Sequence, residues 1–328
     1  AEFLEHLLNS TISTDPRILI GPKVGEDAAV ISQQEGKVLV AKTDPITFAT
    51  DEIGWYSVHV NANDIAATGA KPRWFLATLL IPASMEESAV TDIFNQINAA
   101  CQTLGVSLVG GHTEITYDIP RPIVMGAMLG EANEDDLTPT SGAEVGDRVL
   151  VTKGIAIEGT AILARESGRV LSSCGVTSRT IKKASDYLHN PGISVIQEAQ
   201  AAQSAGNIHC MHDPTEGGLL TGIREIASAS GLGIRIKLES IPVLNETHEI
   251  CHRLGLNPLG LLASGALLIT LPAPDVRNVI NSITMLGCEV SDIGEITPLE
   301  QGMVLVTNAG DEDLPEFSRD ELARFLSS

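Results

Sequence analysis

Two periods of apolar residues alternate along the chain, and the switches between them mark out its elements. Residues 28–31 and 37–43 are short apolar runs on either side of a polar turn at 33–36, which predicts two paired strands. From 51 to 69 the period becomes helical, with an acidic start at Asp51-Glu52 and a stop at Gly69 just ahead of Pro72. That helix puts Asn61, Asp64 and Thr68 on one face. Further strands are predicted at 73–82, 106–109 and 122–129, with an amphipathic helix over 86–104.

A small, polar, turn-forming stretch at 138–147 precedes a new buried strand at 148–152, so the boundary falls at residue 146 and divides the chain into 1–145 and 146–328. Beyond it, helices are predicted over 157–166, 180–188, 194–205, 216–229 and 245–254. Strands are predicted over 234–238, 266–271 and 289–296. The first ten residues read as a short amphipathic helix. No repeat or low-complexity segment interrupts the pattern. The fold class is α/β (α+β) in two domains, a length of 328 residues being ample for two cores.

Composition narrows the function classes. Only 3% of residues are aromatic, so the cores must be built from aliphatic side chains. A formal net charge of −21 argues against nucleic acid or an anionic membrane as partner, and means that an anionic substrate would need a metal ion. Cys101, Cys174, Cys210, Cys251 and Cys288 are scattered without a C-x-x-C pair, which fits a reducing cytoplasm better than a disulfide framework or a zinc site. No apolar run reaches the roughly 18 residues of a membrane span, and no secretory leader is evident in the opening residues.

Five polar clusters interrupt this apolar background: G-E-D-A-A at 25–29, T-D-P at 43–45, N-A-N-D-I-A-A-T-G-A-K-P at 61–72, G-G-H-T-E at 110–114 and H-D-P-T-E-G-G at 212–218. Asp27 precedes a strand, Asp44 ends one and Asp64 lies on a helix, so three carboxylates from separate elements could converge on magnesium, which takes oxygen ligands. Taken singly, each aspartate reads as a cap or turn residue. Gly110-Gly111 follows a strand and would let backbone approach a ligand, or would form a plain tight turn. Thr215 reads equally as a helix cap and as part of an anion site made by free amides.

In this order the clusters resemble those of the aminoimidazole ribonucleotide synthetase (PurM-like) superfamily, which includes thiamine monophosphate kinase, selenophosphate synthetase and the hydrogenase maturation protein HypE. Asn63-Asp64-Ile65-Ala66-Ala67 with Gly69-Ala70-Lys71-Pro72 resembles its N-D-x-A-x-x-G-A-x-P helix, and residues 213–218 are similar to the D-P-T-R-G-G segment of HypE. The resemblance implies a homodimer whose N-terminal domains pair their sheets, with ATP held by metal-bound phosphates and used to phosphorylate an oxygen. It further implies metal ligation by Asp27, Asp44 and Asp64. Lys42, Asn61, Asn63, Gly110, Gly111, Thr113, Asp213, Thr215, Gly217 and Gly218 would bind nucleotide, and Asp64, His112 and Glu114 would serve catalysis.

Three departures modify these expectations. His112 stands where relatives often carry a carboxylate, and a neutral imidazole suits magnesium poorly but can move protons. Glu216 replaces the HypE arginine. No cysteine follows Cys288, so the HypE likeness implies the ATP-using scaffold rather than cyanide formation on the chain's own tail. The expected activity is ATP-dependent activation of an oxygen on a small or protein-tethered acceptor. The alternatives are a small-molecule kinase similar to thiamine monophosphate kinase, or a nucleotide-binding partner protein without turnover.

Overall fold

In the computed structural model, which describes residues 15–21 and 26–327, each half of the chain is built on one mixed sheet. The expected opening helix and Gly25 lie outside the described residues. The first sheet has the order β1-β2-β3-β6-β4-β5, from β1 (Ile18–Ile20), β2 (Ala29–Ser32), β3 (Lys37–Ile46), β4 (Lys71–Pro82), β5 (Ser107–Thr116) and β6 (Ile123–Asn133). Among the described residues of this sheet, only β4 and β5 are parallel neighbours, joined by the crossover helix α2 (Glu87–Leu104). Along β3, Val38, Val40 and Ile46 are buried; Lys42 and Asp44 share their parity and are delivered to the same inward face.

Helix α1 (Ile53–Ala67) lies against that face, and every residue in it except Trp55 is buried. Its polar residues must therefore face protein rather than water. The approach is close because β6 presents glycines: a Cβ on Gly126 would come within 2.4 Å of Asn61 Nδ2, and one on Gly130 within 2.3 Å of Ile65 Cγ2.

Two expectations change here. Asp51 and Glu52 precede α1 rather than forming its first turn, and both pair with Arg165 Nη1 from the second half, at 2.6 and 2.8 Å. Strand β3 is covered on both sides by β2 and β6, and the described sheet ends at β1 and β5. Strand β5 also runs on through Gly110-Gly111 to Thr116 instead of ending at Val109. The register with β4 skips Val109, and Gly111 adopts φ 148° where a Cβ would meet Ala77 O at 1.9 Å. The double glycine thus serves a bulge and a close approach of β4, not a turn.

The second sheet has the order β13-β12-β9-β11-β7-β10-β8, from β7 (Arg148–Thr152), β8 (Cys210–His212), β9 (Gly233–Lys237), β10 (Leu268–Leu271), β11 (Val290–Thr297), β12 (Met303–Thr307) and β13 (Gly310–Asp313). Its helices are α3 (Ile157–Glu166), α4 (Gly168–Ser173), α5 (Ser178–Ser185), α6 (Ile196–Ala205), α7 (Gly218–Ser230), α8 (Asn245–Leu254), α9 (Val276–Thr284) and α10 (Glu321–Leu326). The two halves are bolted together through α1: Asn63 Nδ2 donates to Ile193 O (2.7 Å), while Val195 N donates to Asn63 Oδ1 (3.0 Å).

Candidate active site

Three carboxylates meet where the halves join. Asp27 comes from the approach to β2, Asp64 from the last turn of α1 and Asp213 from the residue after β8; one oxygen of each lies within 4.8 Å of the others, and all three are buried. Lys42 Nζ stands 3.2 Å from Asp64 Oδ1 and 3.7 Å from Asp44 Oδ2. His212 Nδ1 stands 2.7 Å from Asp27 Oδ1, and its Nε2 is 3.0 Å from Glu225 Oε2. Thr140 Oγ1 donates to Asp27 Oδ2 at 3.3 Å.

The electrostatics of this cluster are those of a cation site. Burial pushes the Asp64 carboxyl above the usual range although Lys42 pulls the other way. Burial also raises Asp213, helped by Asp64 and Asp27. Burial would deprotonate His212, but Asp27 and Glu225 outweigh it and hold the ring as imidazolium. Asp64 Oδ2 and both oxygens of Asp213 have no hydrogen-bond partner despite being buried. Unpaired buried carboxylate oxygens are costly, and a hard divalent cation with oxygen preference is the ligand that such a donor set fits.

Asp27 and Asp64 come together as expected, but the other residues are placed differently. Asp213, expected to contact nucleotide, stands in the trio, whereas Asp44 is set aside on Lys42. Asn61 lies under the site, donating to Asp44 O (3.2 Å) and Ser57 O (2.9 Å) with Oδ1 unpaired; Asn63 points away, its amide engaged between domains. Thr215 is not the side-chain cap of α7, since its carbonyl accepts from Gly218 N and Ala263 N. The Gly217 amide is not free for an anion either, because Asp320 Oδ2 accepts from it at 2.7 Å.

His112 and Glu114 sit 3.6 Å apart on the exposed edge strand β5, in register with Thr78 and Leu80, and Gly110, Gly111 and Thr113 are exposed beside them. Strands β4 and β6 separate β5 from β3, a lateral distance of about 14 Å at ~4.8 Å per strand. The fold does not bring them to the Asp64 cluster within one chain.

Beside the trio, Asp44, Thr215, Glu216, Glu158 and Ser264 line a recess walled by Phe48, Val60 and Leu262. Burial pushes the Glu158 carboxyl up to about 8, with Glu216 and Asp44 adding to the effect. Neither Glu158 nor Ser264 was expected from the sequence. His212 belonged to a recognised cluster, but its contact with Asp27 joins residues far apart in the chain.

Residues 25–132 match the AIR synthase related protein, N-terminal domain, and residues 144–306 match the AIR synthase related protein, C-terminal domain. The chain belongs to the AIR synthase related family. Within it, a carbamoyl dehydratase HypE of Cupriavidus necator is 28% identical over 281 residues, covering 83% of this chain and 77% of that protein. A thiamine-monophosphate kinase of Rhodopirellula baltica is 29% identical over 313 residues, covering 90% and 88%. Among solved structures, a HypE–HypF complex superposes with TM-score 0.78 at 20% identity, covering 97% of this chain and all (100%) of the matched one. Hydrogenase maturation protein HypE in complex with ATP gives 0.70 at 22%, covering 97% and 91%. At these identities the superpositions establish the shared fold, with its two α/β halves.

Proposed function

We infer that the protein is an ATP-dependent enzyme that transfers a phosphoryl group to an oxygen of a small or protein-tethered acceptor. The observation that carries this reading is the trio Asp27, Asp64 and Asp213, buried together with oxygens unpaired, in a family whose members include a HypE with ATP bound. Asp27, Asp64 and Asp213 would hold magnesium, which supplies charge neutralisation at the triphosphate when bound. Lys42 holds a positive charge against Asp64 and Asp44, next to where phosphate oxygens would arrive. His212 fixes the orientation of Asp27 through its contact at 2.7 Å. Asn61 braces β3 at Asp44 from α1.

The homodimer belongs to the same reading. Leu76 and Met125 are exposed on the face of the first sheet opposite α1, with Val109, Ile115 and Tyr117 exposed on and beside the edge strand β5, and such a surface suits a second copy of the sheet. A cytoplasmic location and a partner protein, as in the HypE–HypF complex, complete the proposal; no helix among the described residues is long and apolar enough to cross a membrane. The match to the thiamine-monophosphate kinase over 90% of the chain favours a second reading, in which the phosphorylated acceptor is itself the product. Calorimetric titration with ATP, in magnesium and in chelator, tests the common core. Binding that needs magnesium supports it, and equal affinity without the metal refutes it. A metabolite screen scored for ADP and for a phosphorylated product then separates the two readings.

A further inference from the structure

The recess beside the carboxylate trio holds three acidic side chains and, among the residues lining it, no basic one. Glu158 forms its floor, buried to 4% exposure on the first turn of α3. Glu216 and Asp44 stand at the rim. The Ser264 hydroxyl also lines the recess, is 1% exposed, and has no hydrogen-bond partner; it faces Glu158 outside bonding geometry and offsets only part of the effect of burial on that carboxyl. Ile46, Phe48, Val60, Ile162 and Leu262 complete an apolar wall.

Lys42 does not neutralise the floor, because its two ion contacts go to Asp64 and Asp44. A buried acid, two rim carboxylates and an unpartnered hydroxyl form a site for a donor of several N–H bonds carrying positive charge. Hydrophobic walls around such a group exclude an extended polyanion and favour a short aliphatic or ring-borne head.

We propose that this recess is the acceptor's anchoring subsite, and that it selects a compact organic cation, an ammonium or amidinium group, whose neighbouring oxygen is then held toward the Asp27–Asp64–Asp213 cluster. The inference rests on the phosphoryl-transfer reading for its catalytic meaning, but its charge preference can be read without turnover. Asp44 links the two places, since it lines the recess and is tied through Lys42 to Asp64. Glu158 and Glu216 are therefore specificity-determining residues of the acceptor side.

The test uses the full chain and three probes of one size: butylammonium, butanol and butyrate. Ligand-observed NMR titrations are run on the protein alone and on the protein saturated with magnesium and a non-hydrolysable ATP analogue. Saturable binding of butylammonium, at least tenfold tighter than butyrate, is expected in both states. Glu158→Gln should weaken it about tenfold, and Glu216→Arg, at an exposed position that leaves the fold intact, should abolish it and admit butyrate. Butyrate binding as well as butylammonium, or indifference of the cation to both variants, overturns the proposal. Failure of the ATP analogue to bind overturns the phosphoryl-transfer reading instead, and the cation titration on the protein alone still decides the charge preference of the recess.

Discussion

Asp213→Asn should make the metal-free protein more stable while removing its activity. Asp27 has His212 beside it and Asp64 has Lys42, but both oxygens of Asp213 are unpaired at 1% exposure. Two unit charges at 4.8 Å repel by about 3.5 kcal/mol at an effective dielectric of ~20. Part of this is relieved because Asp213, raised by burial, takes up a proton, and part persists because the asparagine amide is itself buried. A net gain of about 2 kcal/mol is the expected result, a melting rise of roughly 4–8 °C. The same change removes a ligand from the metal cluster, which should cost roughly a hundredfold or more in turnover.

The assay is thermal unfolding in chelator and in magnesium with ATP, alongside ATP consumption. Wild type should gain stability on adding magnesium and nucleotide, and the variant should not. Asp64→Asn provides the contrast: losing the partner of Lys42 offsets the relief of repulsion, so activity falls with little change in melting. An Asp213→Asn protein that melts lower in chelator and retains its specific activity would show that the trio is a structural network, and the metal assignment would fail.

Three further outcomes test the fold around the site. Burial holds His59, stacked 4.3 Å from Trp55, at about 4 rather than the ordinary 6.5. The unfolded chain therefore takes up this proton first, and stability present above about pH 6.5 is lost as pH falls toward 4, by about 3 kcal/mol in all; urea melts across this window should flatten in His59→Gln, and an unchanged slope refutes the assignment. Gly111→Val should cost about 3 kcal/mol or more, because it adds a clash with Ala77 O at a positive φ, and normal melting of that variant would refute the reading of β5. Leu76→Arg should give a single-chain mass in light scattering where wild type gives twice that, and a monomeric wild type ends the sheet-pairing proposal.

Much of this architecture was legible where an element is long and periodic, as the alternating strands β4 and β6 and the amphipathic helix α2 are. Asp27 and Asp64 lay at the end and on the face of such elements, so their approach could be anticipated, whereas Asp44 at the end of β3 is held on Lys42 beside the trio. Strand β8 escaped because three residues, Cys210–His212, carry no readable period, and with it went the placement of Asp213 inside the trio. Glycine at 110 and 111 misled for a different reason: a strand bulge and a ligand loop both need a residue without a side chain, and only the register with β4 distinguishes them. Asn63 and Asp64 are adjacent in one motif, yet a helix turns successive residues about 100° apart, so one faces the cluster and the other faces Ile193 and Val195. Glu158 gave no local signal, because a single glutamate in the first turn of a helix is ordinary.

That division of labour within α1 ties the site to the joint between the halves. Asp27 and Asp64 come from the first half and Asp213 from the second, so their mutual repulsion acts to separate the halves, while Asn63 holds α1 to residues 193 and 195 of the second. If the strut restrains that repulsion, the two are energetically coupled. Asn63→Leu alone should cost about 2–4 kcal/mol, since it removes two interdomain hydrogen bonds and leaves a buried N–H and C=O unpaired. Combined with Asp213→Asn it should cost more than the sum of the two single effects predicts, because without the strut the halves relax apart and already relieve the repulsion that Asp213→Asn would otherwise remove. A coupling of about 1 kcal/mol in a double-mutant cycle measured by urea unfolding in chelator is the expected value. Magnesium should shrink it, because a cation between the carboxylates removes the same repulsion. Additivity within about 0.5 kcal/mol in chelator would show that the strut and the carboxylate cluster act independently.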